Sequence, residues 1–233
     1  MSVSRLSTIA QDYLKAIWSA TEWSDEPATV KHLADRMGVR PATASDAVKR
    51  LAAQGFVVHE PYGSIELTDD GRTHAVAMVR RHRLIETFLV EMLGYGWDEV
   101  HDEAEILEHA VSDTMIERID LALGHPSRDP HGDPIPSADG TPHRPDGVQL
   151  SAAPLDTDLL VCRISDADPD TLRHLSAHGF ALDVAVRVDA HRPFAGELSL
   201  HIGNSPAPVV LGSVAAEAVW VTVADALQAE PAN

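Results

Sequence analysis

Residues 29–67, TVKHLADRMGVRPATASDAVKRLAAQGFVVHEPYGSIEL, contain the pattern that decides the fold. Residues 29–37 and 41–53 each have the apolar spacing of a short helix, and Gly38-Val39-Arg40 joins them. Apolar residues then alternate with polar ones on both sides of Tyr62-Gly63-Ser64, which predicts a β-hairpin. A hairpin that directly follows a helix-turn-helix predicts a winged helix.

The second helix of this pair is the candidate DNA-recognition helix. Small polar side chains near its start can reach base edges or phosphates, and basic side chains further along can contact the phosphate backbone. The structural alternative is a helical hairpin that only forms a core, but the wing after it favours DNA binding. The residues predicted to bind DNA are Arg40, Ala42, Thr43, Ser45, Asp46, Lys49 and Arg50.

Charge is unevenly distributed along the chain. Residues 1–83 contain 11 Lys or Arg and 10 Asp or Glu, a net charge of +1, so the remainder carries a net charge of -19 and the whole chain -18. Exposed charges more than about 8–10 Å apart are largely screened at physiological ionic strength. The acidic C-terminal part therefore leaves the N-terminal part free to approach a polyanion.

Patterns in the rest of the chain predict a first helix for the winged-helix domain and two further domains. Residues 7–22 and 72–94 have helical spacing, and a second long run extends from about Trp97 to Leu123. Residues 124–154 hold 7 of the 15 prolines and predict an irregular arm. Four short apolar runs beyond it, with one helix near residues 168–178 among them, predict a small β-barrel; the runs are LLVCRI, VAVRVD, GELSLHI and APVVLG. The predicted domains are a winged helix (1–74), a helical domain (75–140), a linker (141–154) and the barrel (155–226).

Imidazole and carboxylate groups cluster on the two long helices. They occur as one group at helical spacing and as an i, i+4 pair on the preceding helix. A single His/Glu pair is more often a solvated helix face, but two such groups on neighbouring helices favour one or two sites for Mn, Fe, Co or Zn. The group consists of His101, Glu105, Glu108 and His109, and the pair of His82 and Glu86.

Catalytic motifs do not account for this cluster. The sequence has no HExxH, and the residues three positions after Glu105 and Glu108 are Glu108 and Val111 instead of histidine. Phosphate-binding and acyl-transfer motifs are also missing. We therefore predict a metal sensor and not an enzyme. A metalloenzyme and a winged-helix regulator of a small organic ligand are the alternatives from other classes.

Composition predicts a cytoplasmic protein without a membrane partner. Cys162 is the only cysteine, so neither an internal disulfide nor a thiolate zinc cage can form. The N-terminal residues lack the apolar core of an export signal, and no stretch approaches the roughly 18 apolar residues of a membrane-spanning helix.

Residues 80–113, RRHRLIETFLVEMLGYGWDEVHDEAEILEHAVSD, and 124–136, GHPSRDPHGDPIP, carry a resemblance to a known family. They resemble the diphtheria-toxin-repressor family of iron- and manganese-dependent transcription regulators, in particular its manganese transport regulator branch. The resemblance is strong over residues 8–136 and weaker over 155–225. It implies a winged helix, a helical dimerisation and metal-binding domain, and an SH3-like (FeoA-type) barrel.

The same resemblance implies two metal sites per subunit. The primary site corresponds to Asp12, Glu105, Glu108 and His109. The ancillary site corresponds to His82, Glu86 and His101 with a barrel residue, for which Asp166 is the candidate and Asp168 its competitor.

The function implied is a homodimeric repressor of metal-uptake genes that binds operator DNA. Iron-sensing members have Met and Cys at the positions of Asp12 and Glu105. Oxygen ligands at both positions favour Mn(II) as the corepressor, and Fe(II) is the nearest alternative.

Overall fold

The computed structural model describes residues 6–23, 27–60, 63–137 and 147–223. The described residues form two compact units. The first contains those of Met1–Phe88, Glu103–Ser127 and Ile135–Arg144, and the second those of Leu89–Asp102, Arg128–Pro134 and Pro145–Asn233.

The helices are α1 (Thr8–Glu22), α2 (Val30–Arg36), α3 (Pro41–Ala53), α4 (Asp69–Leu93), α5 (Val100–Leu107), α6 (Asp113–Ala122), α7 (Pro169–Ala177) and α8 (Ser213–Glu217). The strands are β1 (Val57–His59), β2 (Ile65–Leu67), β3 (Val148–Gln149), β4 (Leu159–Ile164), β5 (Ala185–Arg192), β6 (Glu197–Ile202), β7 (Val209–Gly212) and β8 (Val219–Val223).

The predicted winged helix is confirmed in the first unit. Ser7 caps α1 and Thr29 caps α2, each through a side-chain oxygen that accepts a backbone N–H of the first turn. Pro41 opens α3, where a missing amide hydrogen costs nothing. Strands β1 and β2 pair antiparallel with Val57 opposite Leu67. Tyr62, which the sequence places in the turn of the wing, lies outside the described residues.

The core of the winged helix is built from the inward faces of α1, α2 and α3. Leu14, Leu33 and Val48 are fully buried in it, and the start of α4 packs against the same core through Val76 and Val79. This burial fixes which side of α3 faces outward, because residues three or four apart share one face of a helix.

One glycine sets the distance between α4 and the base of the wing. A Cβ at Gly71 would lie 1.9 Å from the backbone carbonyl oxygen of Phe56, so only glycine fits there. Thr68 secures the same junction, since its hydroxyl donates to the carbonyl oxygen of Gly55 and accepts the N–H of Gly71. The DNA-binding elements are thereby held close to the first turn of α4.

The prediction of one helix from Trp97 to Leu123 is wrong. Helix α5 ends at Leu107, and α6 starts at Asp113 after its cap Ser112. The residues between them, including Glu108 and His109, form a turn. The N–H of Glu108 still donates to the carbonyl oxygen of Ala104 at 2.9 Å, so the turn that carries both side chains continues directly from the end of α5.

The second unit contains a six-stranded antiparallel sheet with strand order β3-β8-β4-β5-β6-β7. Strand β6 alternates buried and half-buried residues, β4 is buried along most of its length, and α7 packs on the same core through Leu172 and Leu175. The sequence analysis anticipated β4 to β7 and α7 but did not single out β3, β8 or α8. Residues 148–152, which the sequence placed in a linker, form β3 and a 3-10 turn with Leu150 fully buried.

Residues 128–134 belong to the second unit and lie against β4. The carbonyl oxygen of His131 accepts the N–H of Ile164 at 2.8 Å, and Asp133 accepts a hydrogen bond from Arg163 at the same distance. Gly132 has a φ of 91°, and a Cβ there would lie 2.2 Å from the carbonyl oxygen of Cys162. Every residue with a Cβ atom is therefore excluded at position 132, which leaves glycine.

Replacing Gly71 with alanine should destabilise the first unit. Gly→Ala in an open helix position normally stabilises a protein by up to about 1 kcal/mol, but here the new methyl group meets the backbone of Phe56. We expect a loss of about 1–3 kcal/mol, typical of overpacking, measured by urea unfolding followed by circular dichroism. Gly212→Ala is the matched control, because a Cβ there meets nothing within 4 Å. Equal stability of the two variants would contradict the close approach.

Candidate functional site

Four side chains of the first unit converge on one point. Asp12, Glu105, Glu108 and His109 each offer one ligand atom, and these atoms all lie within 4.8 Å of one another. Asp12 comes from α1, Glu105 from α5, and the other two from the turn after α5. The structure thus brings together the four residues that the resemblance assigned to a primary metal site.

Arg81 of α4 holds the turn that presents Glu108. Its buried guanidinium donates to the carbonyl oxygens of Glu108 at 3.2 Å and Val111 at 2.5 Å, and it also pairs with the carboxylate of Asp113. These carbonyl groups follow the end of α5, where the helix itself supplies no donors. Sequence analysis did not identify this role of Arg81, because its partners are 27 to 32 positions away along the chain.

Gln11 determines which nitrogen of His109 faces the cluster. The amide nitrogen of Gln11 donates to the carbonyl oxygen of Leu6 at 3.1 Å, so its oxygen points to His109 Nδ1 at 2.8 Å. A neutral His109 must then carry its proton on Nδ1 and present the lone pair of Nε2 to the cluster. Orientation of a ligating histidine by such an outer partner is general in metal sites.

The contact between His109 and Asp12 is one that a shared cation would fit. His109 Nε2 lies 2.9 Å from Asp12 Oδ1, yet within the described residues this buried oxygen accepts no hydrogen bond of acceptable geometry. Burial raises the pKa of Asp12, against the opposing charges of His109 and Lys15. With three carboxylates and one imidazole, the donor set fits a divalent ion that prefers oxygen and nitrogen ligands, such as Mn(II) or Fe(II).

Lys15 lies among the same carboxylates. Its Nζ donates to Glu105 Oε1 and Glu108 Oε1, both at 2.6 Å. Burial by itself would raise the pKa of Glu108, but the hydrogen bond and charge of His82, together with Lys15, lower it below its usual value. The Glu108 side chain is fully buried as a carboxylate only because these cations accompany it.

His82 connects the predicted ancillary pair to this cluster. Its Nε2 lies 3.0 Å from Glu86 Oε1, and its Nδ1 lies 2.6 Å from Glu108 Oε2. Burial lowers the pKa of His82, but the two carboxylates outweigh burial and the opposing charge of Lys15 and raise it to about 9. All of these groups belong to the first unit.

The other two predicted ancillary ligands lie in the second unit. His101 Nδ1 is 3.2 Å from Asp166 Oδ2, and this pairing holds the pKa of Asp166 well below its usual range despite burial. Asp168 instead caps α7, where its carboxylate accepts the N–H groups of Asp170 and Thr171. Of the two candidates, Asp166 is therefore the one placed beside a histidine.

Helix α3 presents the predicted DNA-binding residues on its outer side. Ala44, Ala47 and Val48 are buried, whereas six of the seven predicted residues are exposed and Ser45 is half-buried. A groove beside α3 is lined by Ser45 and Lys49 together with Lys31 and His59, two cationic or polar residues that sequence analysis missed. Lys31 lies on α2 and His59 on β1. These elements are adjacent to α3 in the fold, but no sequence motif marks the two residues.

Gln11→Leu should weaken divalent metal binding without unfolding the protein. Loss of the hydrogen bond to His109 Nδ1 removes the group that orients the ligand, and such changes lower metal affinity by about 10–100-fold. Competition with a fluorescent chelator would measure the Mn(II) dissociation constant at one pH. Gln54→Leu is the control, because Gln54 is exposed at the end of α3. An unchanged affinity in Gln11→Leu would contradict the orienting role.

Among the helices of the described residues, none has the length and apolar composition needed to cross a membrane. Cys162 is buried, and burial raises the pKa of its thiol to about 11. It therefore remains protonated at neutral pH and is a poor metal ligand.

Comparison with known proteins identifies three matching regions of the chain. Residues 5–65 match the family model described as iron dependent repressor, N-terminal DNA binding domain. Residues 68–137 match the iron dependent repressor, metal binding and dimerisation domain, and residues 148–223 match the FeoA domain.

Individual relatives agree with these matches. The iron-dependent repressor IdeR of Mycobacterium tuberculosis (strain ATCC 25618 / H37Rv) is 34% identical over 134 residues, which is 58% of this chain and 58% of that protein. The diphtheria toxin repressor of Corynebacterium diphtheriae is 37% identical over 127 residues, 54% of this chain and 56% of that protein. The chain thus spans somewhat more than half the length of these relatives.

A solved structure extends the similarity over nearly the whole chain. A manganese-dependent transcriptional repressor in complex with manganese is 56% identical, with 92% of this chain and 99% of that chain covered and a TM-score of 0.88. The relatives named here are repressors and not enzymes. The winged helix, the helical unit with its ligand cluster and the FeoA-type sheet therefore place the chain in the iron-dependent repressor family, also called the diphtheria-toxin-repressor family, of metal-dependent transcription regulators.

Proposed function

We propose that this protein is a manganese-dependent repressor of metal-uptake genes that binds operator DNA as a homodimer. The observation that carries the proposal is the donor set of Asp12, Glu105, Glu108 and His109, which contains oxygen and nitrogen but no sulfur. Mn(II) prefers carboxylate ligands, whereas thiolate and thioether ligands favour softer or later metals. The named manganese-dependent repressor also supports manganese over iron.

Helix α1 is the element through which metal would act on DNA binding. Asp12 lies on α1, while its neighbours Leu14 and Ile17 are fully buried in the core of the winged helix. When bound to the four ligands, Mn(II) would supply a link between α1 and the turn after α5. Asp12 and His109, which otherwise face each other at 2.9 Å without a good hydrogen bond, would then share one cation. The position of α1 sets that of α3, since both helices pack in one core.

A dimer accounts for apolar side chains on the helical part of the first unit. Ile106, Met115 and Leu121 are 68%, 45% and 67% exposed. Exposed apolar residues in one region are typical of protein–protein contacts. The family's dimerisation domain matches this region of the chain. Two recognition helices would then contact DNA half-sites about 34–36 Å apart, one helical turn of the duplex.

The remaining predicted ligands support a second ion per subunit. His82 and Glu86 of the first unit, and His101 and Asp166 of the second, form two His–carboxylate pairs. The ancillary site to which the resemblance assigns them stays a prediction. We place the function of the protein in the cytoplasm, where a regulator has access to its operator.

DNA binding should require metal, and Mn(II) should be the most effective ion. Chelator-treated protein would be titrated onto genomic DNA fragments at one stated salt concentration, with Mn(II), anaerobic Fe(II), Zn(II) or no metal. We expect some fragments to be bound only when metal is added, and the ion concentration needed for binding to be lowest with Mn(II). Because linkage is reciprocal, the bound operator must tighten Mn(II) binding by the same factor by which Mn(II) tightens operator binding.

Glu108→Gln is the variant that ties this response to the proposed ligands. It keeps the size of the side chain and removes the buried negative charge, so we expect a dimer that no longer responds to Mn(II). A full response in Glu108→Gln would contradict the site. Equal DNA binding with and without metal in the unchanged protein would instead favour a regulator of an organic ligand.

Lys49→Ala should weaken DNA binding without changing sequence preference. The Lys49 side chain is 71% exposed on α3, where its ammonium, 3.3 Å from Asp46, can reach a phosphate. Loss of one phosphate contact should lower the slope of log affinity against log salt concentration by about 1. The control is Arg187→Ala, which removes an exposed cation from β5 of the second unit. An unchanged salt slope in Lys49→Ala would exclude a phosphate contact at this residue.

A further inference from the structure

Two imidazole rings of the second unit lie side by side at the C-terminal end of α7. His174 is in the last turn of the helix and His178 is its C-cap, so the two residues are four positions apart and share one face. Their ring centres are 4.4 Å apart, with 50° between the ring planes. His174 is exposed and His178 is half-buried, so solvent reaches both side chains.

Hydrogen bonding leaves nitrogen lone pairs available on both rings. His178 Nδ1 donates to the backbone carbonyl oxygen of His174 at 2.8 Å, so a neutral His178 has its free lone pair on Nε2. Among the described residues, no group hydrogen-bonds to the His174 ring or to His178 Nε2. The carbonyl group thus acts on His178 as an outer partner acts on a ligating histidine, because it sets the tautomer and the orientation of the ring.

The charges around the two rings are compatible with a bound cation. The C-terminal end of a helix carries a partial negative charge from its last carbonyl groups, which favours cations there. Arg173 is the residue next to His174, and its guanidinium pairs with Asp170 at 2.6 Å and with Asp98 at 3.4 Å. The positive charge of Arg173 is therefore compensated, while the end of the helix attracts a metal ion.

Two imidazoles without a carboxylate select a different class of metal from the carboxylate cluster of the first unit. Imidazole nitrogen suits Ni(II), Cu(II) and Zn(II), whereas Mn(II) prefers carboxylate oxygen and is the weakest binder of the first-row series. With metal–nitrogen bonds of about 2.0 Å, two nitrogens at neighbouring positions around one ion lie roughly 3 Å apart. Rings whose centres are 4.4 Å apart can present nitrogens at that separation, since the exposed His174 can change its rotamer.

We propose that His174 and His178 form a surface site for one Ni(II), Cu(II) or Zn(II) ion. The two rings supply two nitrogen ligands, and water would fill the remaining coordination positions. The site consists of residues of the second unit alone, so it does not depend on the proposed function of the Asp12 cluster. Ions that prefer oxygen ligands and ions that prefer imidazole would then bind to different units of the chain.

The first test uses Cu(II)–nitrilotriacetate as the probe for the full-length protein. Nitrilotriacetate wraps the copper and leaves only neighbouring positions open, so the complex binds tightly where two exposed ligands lie together and does not enter a buried cluster. We expect electron paramagnetic resonance to show one copper per subunit with two imidazole nitrogens. His174→Gln should weaken binding of the probe by about 100-fold or more, because two linked binding groups exceed one by about 10²–10⁴-fold.

Two further variants show whether the effect belongs to the pair. His178→Gln should weaken binding of the probe as much as His174→Gln does. His32→Gln is the matched control, because His32 is an exposed histidine of α2, and it should leave the affinity unchanged. His178→Gln also removes the hydrogen bond to the carbonyl oxygen of His174, whereas the ring lost in His174→Gln has no hydrogen bond within the described part of the chain. Equal affinity in His174→Gln and the unchanged protein would overturn the proposal, and so would a copper signal with a single imidazole nitrogen.

A second test compares how many Zn(II) and Mn(II) ions bind to the full-length protein. Calorimetry would count each ion in the unchanged protein and in a variant that combines His174→Gln with His178→Gln. We expect the variant to bind one Zn(II) ion fewer per subunit and the same number of Mn(II) ions. An unchanged number of Zn(II) ions would contradict the site, and the loss of a Mn(II) ion would contradict the class of metal assigned to it.

Discussion

The repulsion between three carboxylates is the constraint on which the first unit depends. One carboxylate oxygen from each of Asp12, Glu105 and Glu108 lies within 4.8 Å of the other two, and the charge of the fully buried Glu108 cannot be left to solvent. Lys15 and His82 offset part of this repulsion through contacts of 2.6 Å with Glu108. Because these groups come from α1, α4 and the end of α5, neutralising the carboxylates also fixes where the three elements meet. The same charge makes the cluster selective for cations.

Helix α1 connects this electrostatic constraint to the winged helix. One of its sides carries Asp12 and Lys15, which are three residues apart and therefore neighbours on the helix surface. The opposite side is buried in the core that also holds α3. At its other end, Glu22 forms a buried bidentate ion pair with Arg83 of α4 at 2.6 and 2.9 Å. The C-terminal end of α1 is thus held by an ion pair between two side chains. Its N-terminal half is held by the charges of the carboxylate cluster.

Local sequence patterns predicted most of the fold but not the parts that depend on distant contacts. The start of α3 follows from Pro41, and β4 follows from the mostly apolar run LLVCRI; both are local signals. The turn after Leu107 retains helix-like spacing in the sequence, and it is stabilised by Arg81 from another helix. For the site, the ligand types were visible as a pattern, whereas Gln11 and Lys15 act on partners more than 80 positions away. The two candidates Asp166 and Asp168 are separated by a local signal: Pro169 starts α7, so Asp168 becomes the N-cap of that helix.

Under the proposed function, selectivity for manganese would have to come from features other than affinity. Mn(II) is the weakest binder among the first-row divalent ions from manganese to zinc for a given set of ligands, so no arrangement of donors makes it the tightest. A carboxylate-rich site without sulfur reduces the difference in binding affinity between Mn(II) and the later metals. A fixed ammonium that lowers the negative charge of the cluster weakens the attraction for every ion alike. The proposed site would then respond to whichever suitable ion is abundant enough, and the side-chain positions set by the hydrogen bonds of Gln11, Arg81 and Lys15 would decide whether that ion can satisfy all four ligands at once.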